Sequence, residues 1–266
     1  NDELTELEMQ HKLDNWFTLE KIDEDTYVIS EYKHREETHC YLLIGKEKAL
    51  LIDTGLGVAN IKEVVNGITE LPVMVVTTHV HWDHIGGHKY FDNITVHENE
   101  KEWLMENFPL PLEIVKRNLL DENGEFPECF DVEKYEVFHG TPQLIMCDND
   151  EIDLGERVIK VVHTPGHSPG HCCFYEEQRL YLYSGDLVYK GCLDMFYPST
   201  NPCEFAKSIK KVTGLSVGKI LPGHHDLDVP VQMIFKIDEA FSILDKSGKL
   251  KQGEGIFEFE DFQIHL

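Results

Sequence analysis

The stretch Thr78-His79-Val80-His81-Trp82-Asp83-His84-Ile85-Gly86-Gly87 decides how this chain is read. It follows the apolar run Val73-Met74-Val75-Val76, which has the length and β-branched content of a buried strand. The histidines and the aspartate therefore stand at the C-terminal end of a strand, where open α/β sheets carry their sites. Imidazole and carboxylate are the donors that zinc and similar divalent ions take. His79 and His81, two apart, can reach one metal, while Asp83 and His84 point elsewhere and suit a second. Gly86 and Gly87 let the backbone pass close to neighbouring structure where a helix is expected to begin. A polar turn with chance histidines is the plain alternative, and this density of ligand-type residues speaks against it.

Upstream, short strands are expected at 26–30, 39–44 and 49–53, the last stopped by Asp53-Thr54-Gly55-Leu56-Gly57. Ile61, Val64, Val65 and Ile68 recur at helical spacing. Downstream, a strand over 94–97 and a helix over 98–107 close the first half. Strands over 144–147, 157–163, 171–175, 180–184 and 219–221 follow. One helix opens at Asn201-Pro202 and another at Asp228 to Pro230, and Phe257 and Phe259 suggest a terminal strand. Two packed sheets with helices on their outer faces fit this order, in a single domain over 1–266. Residues 108–140 break the pattern with prolines, glycines and acids, yet carry Phe108, Leu112, Phe126, Phe130 and Phe138. That is too apolar for disorder and reads as a cover over the active site, with a dimer contact as the alternative.

The chain has 266 residues, and 49 acidic against 24 basic side chains give a formal charge of -25. Such a field repels polyanions, so a nucleic-acid partner is not expected. Seven cysteines without a CxxC pair suit reduced thiols and a cytoplasmic location. No apolar run reaches membrane-spanning length.

Two metals need more donors than the opening cluster supplies. Three later stretches each place one at the end of an expected strand: His167 in Thr164-Pro165-Gly166-His167, Asp186 in Ser184-Gly185-Asp186, and His224 in Leu221-Pro222-Gly223-His224. Asp186, after a tight glycine, could bridge two ions. His171 opens a strand and suits a supporting or packing role. Each Gly-His or Gly-Asp alone is only a turn; their joint occurrence with the first cluster is what carries weight.

The ordered set His79-x-His81-x-Asp83-His84, His167, Asp186, His224 resembles the metallo-β-lactamase superfamily of hydrolases, and Asp53-Thr54-Gly55 is similar to its early strand-and-turn motif. The resemblance implies an α/β fold, an αββα sandwich of two mixed sheets with helices on the outer faces. It implies that His79, His81 and His167 hold one divalent ion and Asp83, His84 and His224 a second, with Asp186 bridging. Zinc is the expected metal, with iron or manganese as alternatives. The implied reaction is hydrolysis of a carboxylic thioester, ester or lactone in a small acyl substrate by a metal-bridging hydroxide, with Asp83 a candidate proton acceptor. The acyl-CoA thioesterase-like members are most similar, through Ile52 to Gly57, Thr78 to His81, Ser184 to Tyr189 and Leu221 to His224. The lactonase-like members share a stretch like Thr164 to His171. A glyoxalase II-like thioesterase and a mononuclear iron dioxygenase of sulfur compounds are the alternatives. Tyr189 and Tyr197 are candidates to hydrogen-bond a substrate oxygen, Trp82 to wall the pocket, and His97, His139 and His225 to support the ligands. Ordinary packing is the alternative for each.

Overall fold

The computed structural model describes residues 16–120 and 125–266. They form two compact units, the first from 16–95, 102–144 and 154–157, the second from 96–101, 145–153 and 158–266. A seven-stranded sheet holds, in spatial order, β1 (Thr18–Asp23), β2 (Thr26–Ser30), β3 (His39–Ile44), β4 (Ala49–Ile52), β5 (Val73–Val76), β6 (Ile94–His97) and β7 (Leu144–Met146). The first four are antiparallel neighbours. β4, β5 and β6 run parallel, which demands crossovers, and helix α1 (Ile61–Ile68) makes the first of them. Ile61, Val64 and Val65 are its buried stripe, and the Asn60 side chain caps its start by accepting from the Lys62 N–H at 3.0 Å.

Helices α2 (Lys101–Met105) and α3 (Leu112–Leu119) follow. In the first unit Val115, Leu119 and Tyr135 of the irregular segment pack with Trp16, Leu56, Val58 and Trp82, and Phe126 and Phe130 close over them. The second unit carries a five-stranded sheet in the order β13-β11-β10-β9-β8, formed by β8 (Glu151–Asp153), β9 (Val158–His163), β10 (Cys172–Glu176), β11 (Tyr181–Gly185) and β13 (Lys219–Pro222). Only β11 and β13 pair in parallel there, and helix α4 (Pro202–Val212) lies in the crossover between them. Phe205 of α4 stacks on Phe241 of α5 (Met233–Lys246), ring centroids 4.7 Å apart, within one core with Leu182 and Ile220 of the sheet. A small third sheet orders β12 (Cys192–Asp194), β15 (Gln263–His265) and β14 (Ile256–Glu258).

The expected mixed α/β class holds, with local differences. β1 is a charged, largely exposed edge strand with no apolar alternation to betray it. β8, β12 and β15 are three residues each, too short for periodicity to register. After Gly86-Gly87 there is no α-helix but a 3-10 turn at His88–Tyr90, fixed by the His88 ring between Thr54 and Thr77. Helix α2 begins only after a second 3-10 turn at Glu98–Glu100. α5 starts at Met233 rather than near Asp228, whose N–H is already taken by Asp226 Oδ1 at 2.9 Å in a turn of its own. No helix among the described residues is long and apolar enough to cross a membrane.

Candidate metal centre

The first unit carries His79, His81, Asp83 and His84, held by a framework built on Asp53. Asp53 leaves β4 in the left-handed region at φ 62, which turns its carboxylate towards the end of β5. Oδ1 accepts the Thr78 N–H at 2.7 Å; Oδ2 accepts the Thr78 hydroxyl at 2.7 Å and His84 Nδ1–H at 2.8 Å. A carboxylate only accepts, so His84 carries its proton on Nδ1 and presents the Nε2 lone pair outwards. Thr78 spends its hydroxyl proton on Asp53, so it accepts from His79 Nδ1 at 2.9 Å, and His79 likewise presents Nε2. The His79 ring centroid is 4.2 Å from that of His84 and 4.5 Å from that of His81. His84 Nε2 lies 3.3 Å from Asp83 Oδ2.

Four further residues stiffen this framework. Glu31, fully buried, accepts Leu56 N–H at 2.9 Å and Trp16 Nε1–H at 2.7 Å. A Cβ on Gly55 would lie 1.9 Å from Glu31 Oε1, which is why glycine occupies that turn. Burial outweighs those hydrogen bonds and lifts the Glu31 pKa to about 7. The Tyr135 hydroxyl donates to Leu56 O at 2.8 Å, and burial, then the Asp83 and Glu31 charges, hold it protonated. His88 is pushed down to about 3 by burial and then by His84, and stays a neutral strut. Trp103 stacks on His81, rings 6.0 Å apart and 14° from parallel.

The second unit carries His167 after β9, Asp186 after β11 and His224 after β13. Asp186 gives one oxygen to each imidazole: Oδ2 is 3.2 Å from His167 Nε2, and Oδ1 is 3.1 Å from His224 Nε2. Its N–H donates to His171 Nε2 at 3.0 Å, so His171 is protonated on Nδ1 and bonds Thr164 Oγ1 at 2.8 Å. Both nitrogens of His171 are thus engaged in holding the loops. A Cβ on Gly223 would meet Gly185 O at 2.8 Å and Asp186 Oδ1 at 3.2 Å, so glycine lets the ends of β11 and β13 approach. The His167 loop is tied down by Ser168 Oγ donating to Glu100 at 2.9 Å and by Asn201 N–H donating to Gly166 O at 2.8 Å.

Other sequence candidates are engaged elsewhere. His97 stacks on His163 at 4.0 Å, and burial followed by His163 lowers its pKa to about 4. His139 lies 3.3 Å from Leu104 O. The Tyr189 hydroxyl donates to Cys192 O, and its ring packs in the core 5.4 Å from His224. Tyr197 is half exposed against Phe196. Sequence reasoning missed Glu31, His88 and Trp103, since nothing local separates a buried acid after β2 from a solvated one.

The chemistry of both donor sets fits divalent cations. His84 Nε2 and Asp83 Oδ2 are two electron-pair donors facing each other at 3.3 Å, and such a pair is stable only with a proton or a cation between them. Imidazole with carboxylate suits zinc, and also iron or manganese.

A family model described as the Metallo-beta-lactamase superfamily matches residues 35–224. The chain belongs to the metallo-β-lactamase superfamily. An acyl-coenzyme A thioesterase from Homo sapiens, MBLAC2, is 30% identical over 229 residues, covering 79% of this chain and 81% of that protein. Its counterpart from Gallus gallus is 28% identical over 231 residues, covering 80% and 82%. The solved metallo-beta-lactamase from Pontibacter korlensis superposes with a TM-score of 0.64 at 19% identity, over 85% of this chain and 99% of that one. At that identity the likeness concerns the fold, which is the superfamily's α/β fold.

Proposed function

We propose that this superfamily member is a dinuclear, zinc-dependent hydrolase of carboxylic thioesters, with esters and lactones as related substrates. The observation that carries the reading is Asp186, with one oxygen on each of two imidazoles, the disposition a bridging carboxylate needs. The thioesterase relatives at 30% and 28% identity support the bond type. In this reading His79, His81 and His167 hold one ion, Asp83, His84 and His224 the other, and Asp186 serves both. Bound divalent ions supply a Lewis acid for the carbonyl and a water acidified towards a pKa of about 7. The Asp53 carboxylate fixes the tautomers of His84 and, through Thr78, of His79. Asp83 is, in this reading, the acceptor of the attacking water's proton. Tyr189 we assign to packing, because its hydroxyl is committed to Cys192 O; Tyr197 keeps the candidate role at the substrate oxygen.

Residues 108–140 serve as a cover that favours an apolar acyl portion. In the first unit this segment and α1 line a cavity of about 460 Å³ together with Phe17, Val58 and Ala59, none of the seven proposed ligands being in its wall, and its volume is within the size range of small-molecule sites. The seven cysteines are all free, in keeping with a reducing, cytoplasmic location. Elemental analysis after metal loading, paired with a panel of thioester, ester, lactone, phosphodiester and β-lactam, tests the function. The expected result is acyl hydrolysis, with about two zinc ions per chain lost together in Asp186→Ala. Phosphodiester cleavage without acyl hydrolysis would defeat the reading.

A further inference from the structure

Another group of ligand-type side chains stands apart from these seven. β12 and β15 run parallel, with Cys192 beside Gln263, Leu193 beside Ile264 and Asp194 beside His265. Leu193 and Ile264 belong to the core, so strand alternation puts Cys192, Asp194 and His265 together on the opposite face. One donor atom from each lies within 4.8 Å of the others. Asp194 Oδ1 is 3.4 Å from Cys192 Sγ and 3.4 Å from His265 Nδ1. Phe196 stacks on the His265 ring at 4.0 Å, restricting its rotation.

We propose that Cys192, Asp194 and His265 bind one divalent metal ion, zinc by donor type, as a clip between β12 and β15. Thiolate, imidazole and carboxylate are the three donors zinc takes from proteins, and the sulfur disfavours magnesium and calcium. Glu258, on β14 opposite Gln263, or a water completes four-coordination. The rival arrangement is metal-free, with the thiol and the imidazole both hydrogen-bonded to Asp194.

Cobalt(II) titration of the full chain separates the two. The seven residues of the proposed catalytic centre include no cysteine, so a thiolate-to-cobalt charge-transfer band that disappears in Cys192→Ser reports this site, whatever becomes of the hydrolase reading. The wild type should show the band and zinc should quench it. Cys192→Ser should abolish it while acyl hydrolysis and the circular dichroism spectrum persist. His265→Ala should weaken cobalt binding by more than about tenfold, because a lost direct donor costs at least what a lost outer partner does. No band in the wild type, or an undiminished one in Cys192→Ser, overturns the clip. Should Cys192→Ser fail to fold, alkylation of wild-type Cys192, located by peptide mass, decides: zinc should protect the thiol, and equal labelling with and without zinc overturns the proposal.

Discussion

Asp53 holds three donors with two oxygens, and all three belong to the loop that carries the histidines. Asp53→Ala leaves the buried Thr78 N–H and His84 Nδ1–H without an acceptor, a cost of about 1–3 kcal/mol. It also releases the tautomers of His84 and His79, so zinc affinity should fall by about 10–100-fold in a competition titration against a chelator. Unchanged affinity would show that packing alone orients the rings. Glu31 makes a different prediction. Its pKa rises from 4.5 to about 7 in the folded chain, so between those values the folded form keeps a proton that the unfolded form has released. Stability therefore falls as pH rises through that window and levels off above it. In chelator-stripped protein, where no nearby cation favours the carboxylate, Glu31→Gln should remove this slope. Urea unfolding should then show the wild type losing roughly 3 kcal/mol relative to the variant across the window. Parallel pH profiles would place the titration elsewhere.

Turns and strands differ in how far the sequence reveals them. β5 and the motif after it were legible because four apolar residues end abruptly in chemistry-bearing ones. The glycine turn after β4 was legible as punctuation, but its contact with the motif is a tertiary fact. A Cβ on Gly86 would sit 2.2 Å from Gly57 N and from Leu56 C, backbone atoms that cannot swing aside. Gly86→Ala should therefore cost about 1–3 kcal/mol in thermal or urea unfolding. Gly67, inside α1 with nothing within 4 Å of its added Cβ, is the opposite case, and Gly67→Ala should gain up to about 1 kcal/mol. The apolar character of residues 108–140 was legible from its aromatics; that Tyr135 and Phe130 pack with Trp82 and Val58 was not. If the cover receives an acyl chain, kcat/KM should rise with chain length from about two to about twelve carbons, by up to about 0.8 kcal/mol per methylene. Phe130→Ala should flatten that rise. An unchanged profile with dissociation of a dimer would instead make the segment an oligomer contact.

For the whole molecule, the seven proposed ligands were readable only as an ordered set, because His167, Asp186 and His224 are each an isolated residue after a strand. What brings the oxygens of Asp186 to two imidazoles is the approach of strand ends, which depends on Gly223 and on backbone contacts far apart in sequence. Net charge, by contrast, was fully readable and has a kinetic consequence. A formal charge of -25 surrounds a site proposed to take thioesters whose CoA portion is itself polyanionic. At about 10 mM salt the Debye length is about 30 Å, and most of the protein's field reaches an approaching anion; at 150 mM it is about 8 Å. The kcat/KM for an acyl-CoA should therefore climb severalfold over that range, while a thioester of the same acyl group on neutral N-acetylcysteamine should stay nearly flat. The two substrates share the bond broken, so the difference between their salt profiles isolates the electrostatic repulsion from any effect of salt on chemistry or metal binding. A kcat/KM for the CoA ester that falls with salt would reverse the argument, placing local attraction at the site ahead of the global charge in recognising the substrate.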